Sequence, residues 1–387
     1  MVSKACVVGA YQRKLEEIAA RPGIELLVIV PPYWQEEARK IPLERLHTTG
    51  YCLEVEPIRF NGRFHLFHFP GLARRAREFR PDVVHVDEEP YNLAGWQSTR
   101  IARQLGARCL FFTWQNICRN YPPPFRWMEQ YCFHTADRAI AGNQEAAEVL
   151  RRKGFQKPVD VIPQFGVDPG MFRPSSGPHP PASPPWGRGG EDSPPRGGEQ
   201  QRLGSTSSFR IGFVGRLVEQ KGILDLLEAV ARLEGDRRLL LVGAGPLRPR
   251  IQERAVELGL SGRLEIIAGV PSRQMPEIMS SFDALVLPSR TRPNWKEQFG
   301  RALVEAMACQ VPVVGSNSGE IPNVIGDAGL VFPEGDVAAL RDHLAKLQAS
   351  QELREELGQR GRARVLERFT QARVAEQTCE AYHKLLR

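Results

Sequence analysis

The feature that most constrains this chain is the alternation of short, nearly continuous apolar runs with amphipathic segments of helical period. In the second half the runs are 210–214, 239–242, 264–267, 284–287, 311–314 and 330–332, with helical patterns at 223–233, 247–258, 275–280 and 301–308. In the first half they are 5–8, 26–30, 83–86, 109–113 and 139–141, separated by amphipathic segments such as 93–105 and 144–153. A strand covered on both faces has no polar face to present, so it reads as unbroken apolar sequence. Such strands alternating with helices predict an α/β class with parallel sheets. The sequence from Asp336 onward reads as helical, rich in Glu and Arg.

One stretch interrupts the pattern. Residues 174–208 are dominated by Pro, Gly and Ser with almost no aliphatic side chains. They bury too little apolar surface to offset the entropy of ordering, which predicts a disordered linker. A chain of 387 residues suits two domains. The expected division is 1–173, the linker 174–208, and 209–369. Two such units form a pair of Rossmann-like parallel-sheet lobes facing a central cleft.

Composition narrows the function classes. At 42% hydrophobic and 25% charged residues, the chain has a soluble globular balance. No apolar run approaches the roughly 18 residues that span a bilayer. The opening residues read as a first strand rather than a signal peptide, so the expected location is the cytoplasm or the cytosolic membrane face. The seven cysteines are scattered without a CxxC pair, against a disulfide framework or a zinc site. Net charge is +7, and residues 1–173 hold 24 Lys and Arg against 19 Asp and Glu. The clusters Arg74, Arg75, Arg77, Arg80 and Arg151, Arg152, Lys153 offer a peripheral contact for anionic membrane, or simply a solubilising face. No nucleic-acid recognition module is present.

The chemistry concentrates at Glu297-Gln298-Phe299-Gly300-Arg301-Ala302-Leu303-Val304-Glu305. Gly300 permits close backbone approach to a ligand. The helix that begins there offers unpaired N–H groups to an anion such as a diphosphate. Glu297 precedes the helix, where it can accept hydrogen bonds from sugar hydroxyls. Glu305 lies among apolar residues more than a turn inside, unlike a solvated charge. A buried carboxylate needs a partner, and a ribose diol is one candidate.

In parallel sheets, ligands bind at the carboxyl ends of the strands. Here those ends carry Gly215-Arg216 with Gln220-Lys221-Gly222, then Gly243-Ala244-Gly245-Pro246, Gly269-Val270-Pro271, Pro288-Ser289-Arg290 and Ser316-Asn317-Ser318-Gly319-Glu320. An Arg and a Lys beside a glycine turn can clamp a diphosphate. Taken singly, each glycine is most often a turn. Together with Glu297 and Glu305 they describe a nucleotide-sugar site. His85, followed by Asp87, Glu88 and Glu89, lacks a second histidine for a metal site. The cluster from Tyr121 to Met128 either lines an acceptor pocket, touches a membrane interface or packs its rings into a core.

The segments FVGRLVEQKG, LLLVGAGP, AGVPSRQMPEIMSSFDALVLPS, EQFGRALVEAMACQVPVV and SGEIPNVIGDAGLVF resemble, in order and spacing, the C-terminal domain of the retaining GT-B-fold glycosyltransferases of family 4. RPDVVHVDEEPYNL, ADRAIAGNQEA and VIPQFGVDPGMF resemble its acceptor-side domain more loosely. The resemblance implies a metal-independent transfer from a UDP-, GDP- or ADP-sugar to a glycan, lipid or small-molecule acceptor, with no cofactor. It implies catalytic roles for Arg216, Lys221 and Glu297. It places the donor on Gly215, Arg216, Lys221, Gly269, Val270, Glu297, Phe299, Gly300 and Glu305. It puts Gly9, Tyr11, His85 and Gln115 on the acceptor side, and sends a final helix, about 370–387, back to the first domain through Val374, Cys379, Tyr382 and Leu385. Two departures are visible: Gly9-Ala10-Tyr11 replaces a Gly-Gly turn, and Gln115 stands where a histidine is common. Epimerase or phosphorylase chemistry on the same fold, or silent nucleotide-sugar binding, are the alternatives.

Overall fold

The computed structural model describes residues 1–36, 39–174 and 208–387. The expected linker therefore lies, except for its two end residues, outside the described residues. The class is α/β, with parallel strands in two lobes.

The second lobe has six parallel strands in the order Leu264–Ile267, Arg237–Val242, Phe209–Val214, Ala284–Leu287, Val313–Ser316, Leu330–Phe332. In chain order this is 3-2-1-4-5-6, so the direction of winding reverses between Phe209–Val214 and Ala284–Leu287. The fifth strand starts at Val313 rather than 311. The Val311 N–H closes the preceding helix on the Ala306 carbonyl, and Pro312 has no N–H to donate.

In the first lobe Val83–Val86, Arg108–Thr113, Arg138–Ala141 and Val159–Val161 pair in that order, and Leu27–Val30 pairs with Cys52–Val55, all in parallel. Val2 bridges Ile29 on one side and Val86 on the other. The expected strand at 5–8 is thus corrected. The strand position is taken by Val2, and the apolar run becomes a buried 3-10 turn, Ala5–Val7. Four apolar residues alone do not distinguish these outcomes. The antiparallel hairpin Tyr33–Glu36 with Arg39–Pro42 has no counterpart in the sequence reading.

The last three helices are Val337–Ala349, Gln351–Arg368 and Gln371–Leu386. The first two cover the second lobe. The third buries Val374, Ala375, Cys379, Tyr382 and Leu385 against Leu15, Ile18, Val28, Val30 and Leu110 of the first lobe. Val167 and Phe172, inside the expected first domain, instead pack in the core of the second lobe beside Phe209. The chain changes lobe near residue 166, where Val167 N–H donates to Phe369 O at 2.8 Å and Gln371 N–H to Val167 O at 3.0 Å. Gly166 is required there, since a Cβ would collide with the Thr370 carbonyl carbon. Among the described residues, no helix is long and apolar enough to cross a membrane.

Candidate active site in the interlobe cleft

Where the winding reverses, two neighbouring strands send their following loops apart and leave a crevice at their carboxyl ends. Lys221 follows the first strand of the second lobe, and Ser289 follows the fourth. The structure brings both to Glu297: Lys221 Nζ lies 2.6 Å from Glu297 Oε2, and Ser289 Oγ donates to the same oxygen at 2.8 Å. Glu297 and Ser289 are buried. Trp295 presents its ring 5.2 Å from the Lys221 ammonium.

Two glycines make this convergence possible. Gly222 has φ +65°, and a Cβ there would strike the Pro288 carbonyl. Gly319 has φ +52° and sits against the Glu297 carbonyl in the same manner, while Glu320 N–H donates to that carbonyl at 3.1 Å. Glu320 itself is buried, and burial pushes its carboxyl up to about 7 despite the Asn323 amide. Arg216 is exposed and follows Gly215 at the end of the first strand. Gly269 and Val270 follow the edge strand, two strands away from the reversal, with Gly269 exposed and Val270 half-buried against the core.

Gly300, at φ +78°, caps Arg301–Ala308 without any side-chain cap bond. The first turn of that helix thus has no side-chain acceptor at its cap. Glu305 is buried, and burial raises its carboxyl above the ordinary range, with Arg301 opposing the shift. The partner predicted to be a ribose is here Arg301, whose Nε lies 2.7 Å from Glu305 Oε1. The Arg301 guanidinium also covers the Tyr11 ring at 4.9 Å, and Tyr11 stacks on Phe165 at 3.9 Å. Arg301 therefore joins Glu305 to the first lobe, a link four residues long on the helix that the sequence reading left unused. Glu305→Ala removes the carboxylate and frees Arg301. If Glu305 binds the donor ribose, the donor KM rises about tenfold, by the usual 1.5 kcal/mol or so of a charged hydrogen bond. Steady-state kinetics at saturating acceptor checks this, and an unchanged donor KM sinks the role.

The first lobe meets this region through its own strand ends. Asn116 Nδ2 donates to the Glu297 carbonyl at 3.3 Å, Asn143 Nδ2 to the Gln298 carbonyl at 2.6 Å, and Gln298 Nε2 to the Trp114 carbonyl at 3.0 Å. Lys296 pairs with Glu145 at 2.7 Å. Phe299 lies between Trp114 and Phe369, with ring centroids 6.0 and 5.8 Å away. Glu89 accepts from Thr113 Oγ1 at 2.6 Å and from Trp114 N–H at 2.8 Å, and burial lifts its carboxyl to about 7. Gln115 donates to Tyr121 Oη at 3.1 Å and accepts from Lys153 at 3.2 Å. Glu89, Gln115, Asn116, Trp295 and Lys296 line a cleft pocket of about 140 Å³.

Two acceptor-side candidates are not brought to this cleft. His85 is corrected. It is buried with Nδ1 2.7 Å from Tyr382 Oη, beneath the final helix, and burial holds the imidazole well below its usual range. A residue in the middle of a short strand points at whatever covers that face, not at the strand end. Gly9 donates its N–H to Glu44 at 2.7 Å and lies under the Leu46 side chain. Tyr11 and Gln115 do approach the cleft, through Arg301 and Tyr121. Asp87 and Glu88 are held by Ser3, Gln164 and Lys4, and no metal-binding group of His, Cys, Asp or Glu occurs among the described residues. In the cluster from Tyr121 to Met128, Tyr121 and Phe125 are half-buried, while Trp127 is 67% exposed. Within the basic run, Arg74 pairs with Glu78, and Arg75 with Glu54 and Glu56. Trp295, Asn116, Asn143 and Arg301 are site residues that the sequence does not single out, and Ser289 is marked there only as part of a strand end. The only local signals were the position of Ser289 after a strand and of Asn143 before a helix.

Comparison with known proteins bears on the whole arrangement. The family described as "Glycosyl transferases group 1" matches residues 199–364, and that described as "Glycosyl transferase 4-like domain" matches residues 8–164. The N-acetyl-alpha-D-glucosaminyl L-malate synthase of Bacillus anthracis is 33% identical over 171 residues, 43% of each chain. This chain thus spans less than half the length of that relative. The 2-deoxystreptamine N-acetyl-D-glucosaminyltransferase of Streptomyces fradiae is 27% identical over 341 residues, covering 82% of this chain and 74% of the relative. Anabaena Alr3699/HepE, solved in complex with UDP and glucose, superposes with a TM-score of 0.70 at 17% identity, covering 99% of this chain and 98% of that one. That likeness establishes the GT-B fold.

Proposed function

The chain belongs to the glycosyl transferases group 1, and from that membership we propose that it moves a sugar from a nucleotide-sugar donor to an acceptor hydroxyl, with retention at the anomeric carbon and without a metal ion. The observation that carries the reading is the convergence of Lys221, Ser289 and Glu297 at the point where strand winding reverses, beside the N-terminus of Arg301–Ala308. In the reaction, the bond between the sugar and the diphosphate breaks, and negative charge grows on the leaving phosphate oxygen. Lys221, Arg216 and the N–H groups after Gly300 stabilise that charge where it develops. Glu297 holds the donor sugar through its hydroxyls. Among the described residues no side chain stands out as a covalent nucleophile, and on this reading the acceptor attacks from the face the phosphate leaves, and the phosphate oxygen takes the acceptor proton. The names of both relatives above describe sugar chemistry of this class, and the acceptor is the point on which they differ.

The ligand that identifies the donor is found by thermal shift with UDP, GDP and ADP and their sugars, with EDTA present. Binding to the folded state alone stabilises by RT ln(1 + [L]/Kd), about 2.7 kcal/mol at a hundredfold excess over Kd. One nucleotide is expected to raise Tm clearly above the other two, with EDTA making no difference. No shift with any of them, or a shift abolished by EDTA, overturns the reading. Nucleoside diphosphate released only when an acceptor is present marks transfer; a donor isomerised without acceptor marks an epimerase. The residual basic face of the first lobe, Arg77 and Arg80 beside the paired Arg74 and Arg75, is where we place any contact with anionic membrane.

A further inference from the structure

The segment 60–69 carries Phe60, Phe64, His65, Phe67, His68 and Phe69. Phe67 and Phe69 are fully buried, which pins the segment to the first lobe. Phe64 and His65 remain half-exposed. The His65 ring lies 4.9 Å from Phe125 and 5.9 Å from Tyr121, and Tyr121 stacks on Tyr91 at 4.2 Å. Phe64, His65, Tyr121 and Phe125, with Arg63 at the rim, wall a recess of about 350 Å³. Tyr121 also lines the polar cleft pocket, so the recess adjoins the crevice that holds Glu89, Gln115 and Asn116. Two ammonium groups cover the outer rings: Lys4 lies 4.8 Å from Phe64, and Lys153 lies 4.8 Å from Tyr121.

The wall has the chemistry of one kind of ligand. Aromatic faces carry negative quadrupolar charge and attract the weakly positive C–H groups on one face of a saturated ring. The equatorial hydroxyls of such a ring project sideways, toward Tyr91 and Tyr121 Oη and the amides of Gln115 and Asn116. An acyclic polyol offers no rigid face and loses rotor entropy on ordering. A flat aromatic aglycone suits the rings but makes no hydrogen bond with the polar groups of the adjoining cleft. Burial holds His65 below the ordinary imidazole range, so its ring is neutral near pH 7 and repels no C–H face.

We propose that this recess is the acceptor subsite, and that the acceptor carries a saturated six-membered ring, a pyranose or a cyclitol, laid on the wall of Phe64, His65 and Phe125 with one hydroxyl directed into the cleft. The proposal rests on the glycosyl-transfer reading and goes beyond it by naming the acceptor class.

The test uses the full chain and the donor found by thermal shift. Transfer is measured to methyl pyranosides of the gluco, manno, galacto and N-acetylglucosamine series and to myo-inositol. The same assay is run with erythritol and with p-nitrophenol. At least one ring acceptor is expected to give a kcat/KM tenfold or more above erythritol and p-nitrophenol. Phe64→Ala and Phe125→Ala are each expected to raise that acceptor's KM about tenfold while the donor KM stays within twofold. Trp127→Ala, an exposed ring outside the recess, is expected to change neither. Preference for erythritol or p-nitrophenol overturns the proposal. So does a donor-binding enzyme that transfers to none of the ring acceptors, or a pair of variants that keep the parent's acceptor KM. A chain that binds no nucleotide sugar fails earlier, at the thermal shift, and overturns the transfer reading itself.

Discussion

Lys221→Ala is expected to lower turnover by on the order of 100-fold or more, the scale of losing one preorganised donor at a developing oxyanion. The ammonium faces Glu297 at 2.6 Å, and its side chain is 17% exposed against 9% for the carboxylate. Removing it therefore does two things. On the proposed mechanism it takes away a positive charge at the leaving diphosphate, and it leaves Glu297 buried with Ser289 as a remaining donor to Oε2. The second effect is a stability cost, because a buried carboxylate loses its counter-charge. The double variant Lys221→Ala, Glu297→Gln, read against Glu297→Gln alone, separates the two. The neutral amide no longer needs the ammonium, so the fold recovers, but the diphosphate still lacks its clamp. Turnover of the double variant is expected to remain at least 100-fold down while its Tm returns toward the parent's. Recovery of turnover along with Tm would show that Lys221 only pairs with Glu297.

Stopping the chain before Thr370 is expected to abolish activity and unfold the first lobe. The lost helix Gln371–Leu386 buries Val374, Cys379, Tyr382 and Leu385 against Leu15, Ile18, Val28 and Val30. At about 2 kcal/mol for each large side chain, the loss is on the order of 8 kcal/mol, comparable with the entire stability of an ordinary domain. Tyr382 Oη is also the hydrogen-bond partner of His85 Nδ1, so the truncation strands a buried imidazole. Circular dichroism and limited proteolysis read the result. A truncated chain that keeps the parent's thermal transition and protease resistance would refute the role given to this helix.

Local pattern carried the architecture of the second lobe. Strand 284–287 is read at its true limits because both faces are covered and no residue breaks the run; 264–267 is an edge strand with Glu265 exposed, and its apolar neighbours alone mark it. The helices 93–105 and 301–308 likewise declare themselves by period, and in the structure Asn92 caps the first. The first lobe is less legible where an element is stabilised by its neighbours alone. Val2 occupies a strand position through one bridge on each side, and Cys52–Val55 is an edge strand with three half-buried residues and one exposed. Neither leaves a periodic signature. The site divides in the same way. Lys221, Glu297 and Glu305 stand out by chemical type and context. Their partners do not: Ser289 and Arg301 are ordinary residues until strand order places one beside Glu297 and a helical turn places the other beside Glu305. Asn116 and Asn143 meet Glu297 and Gln298 across separations of 181 and 155 residues, which no window of sequence displays.

The chain passes between the lobes at two places, near residue 166 and near residue 370. Those two passages are hydrogen-bonded to each other, Val167 to Phe369 and Gln371 to Val167, with Gly166 pressed against Thr370. They therefore form a single crossing. At that one line the chain leaves one hydrophobic core and enters the other, with Phe165 packed in the first and Val167 in the second. Beside it, Asn116, Asn143 and Glu145 bind residues 296–298 across the lobes. Phe172 and Phe209, which flank residues 175–207, share the second lobe's core, so the chain on either side of that stretch belongs to one lobe.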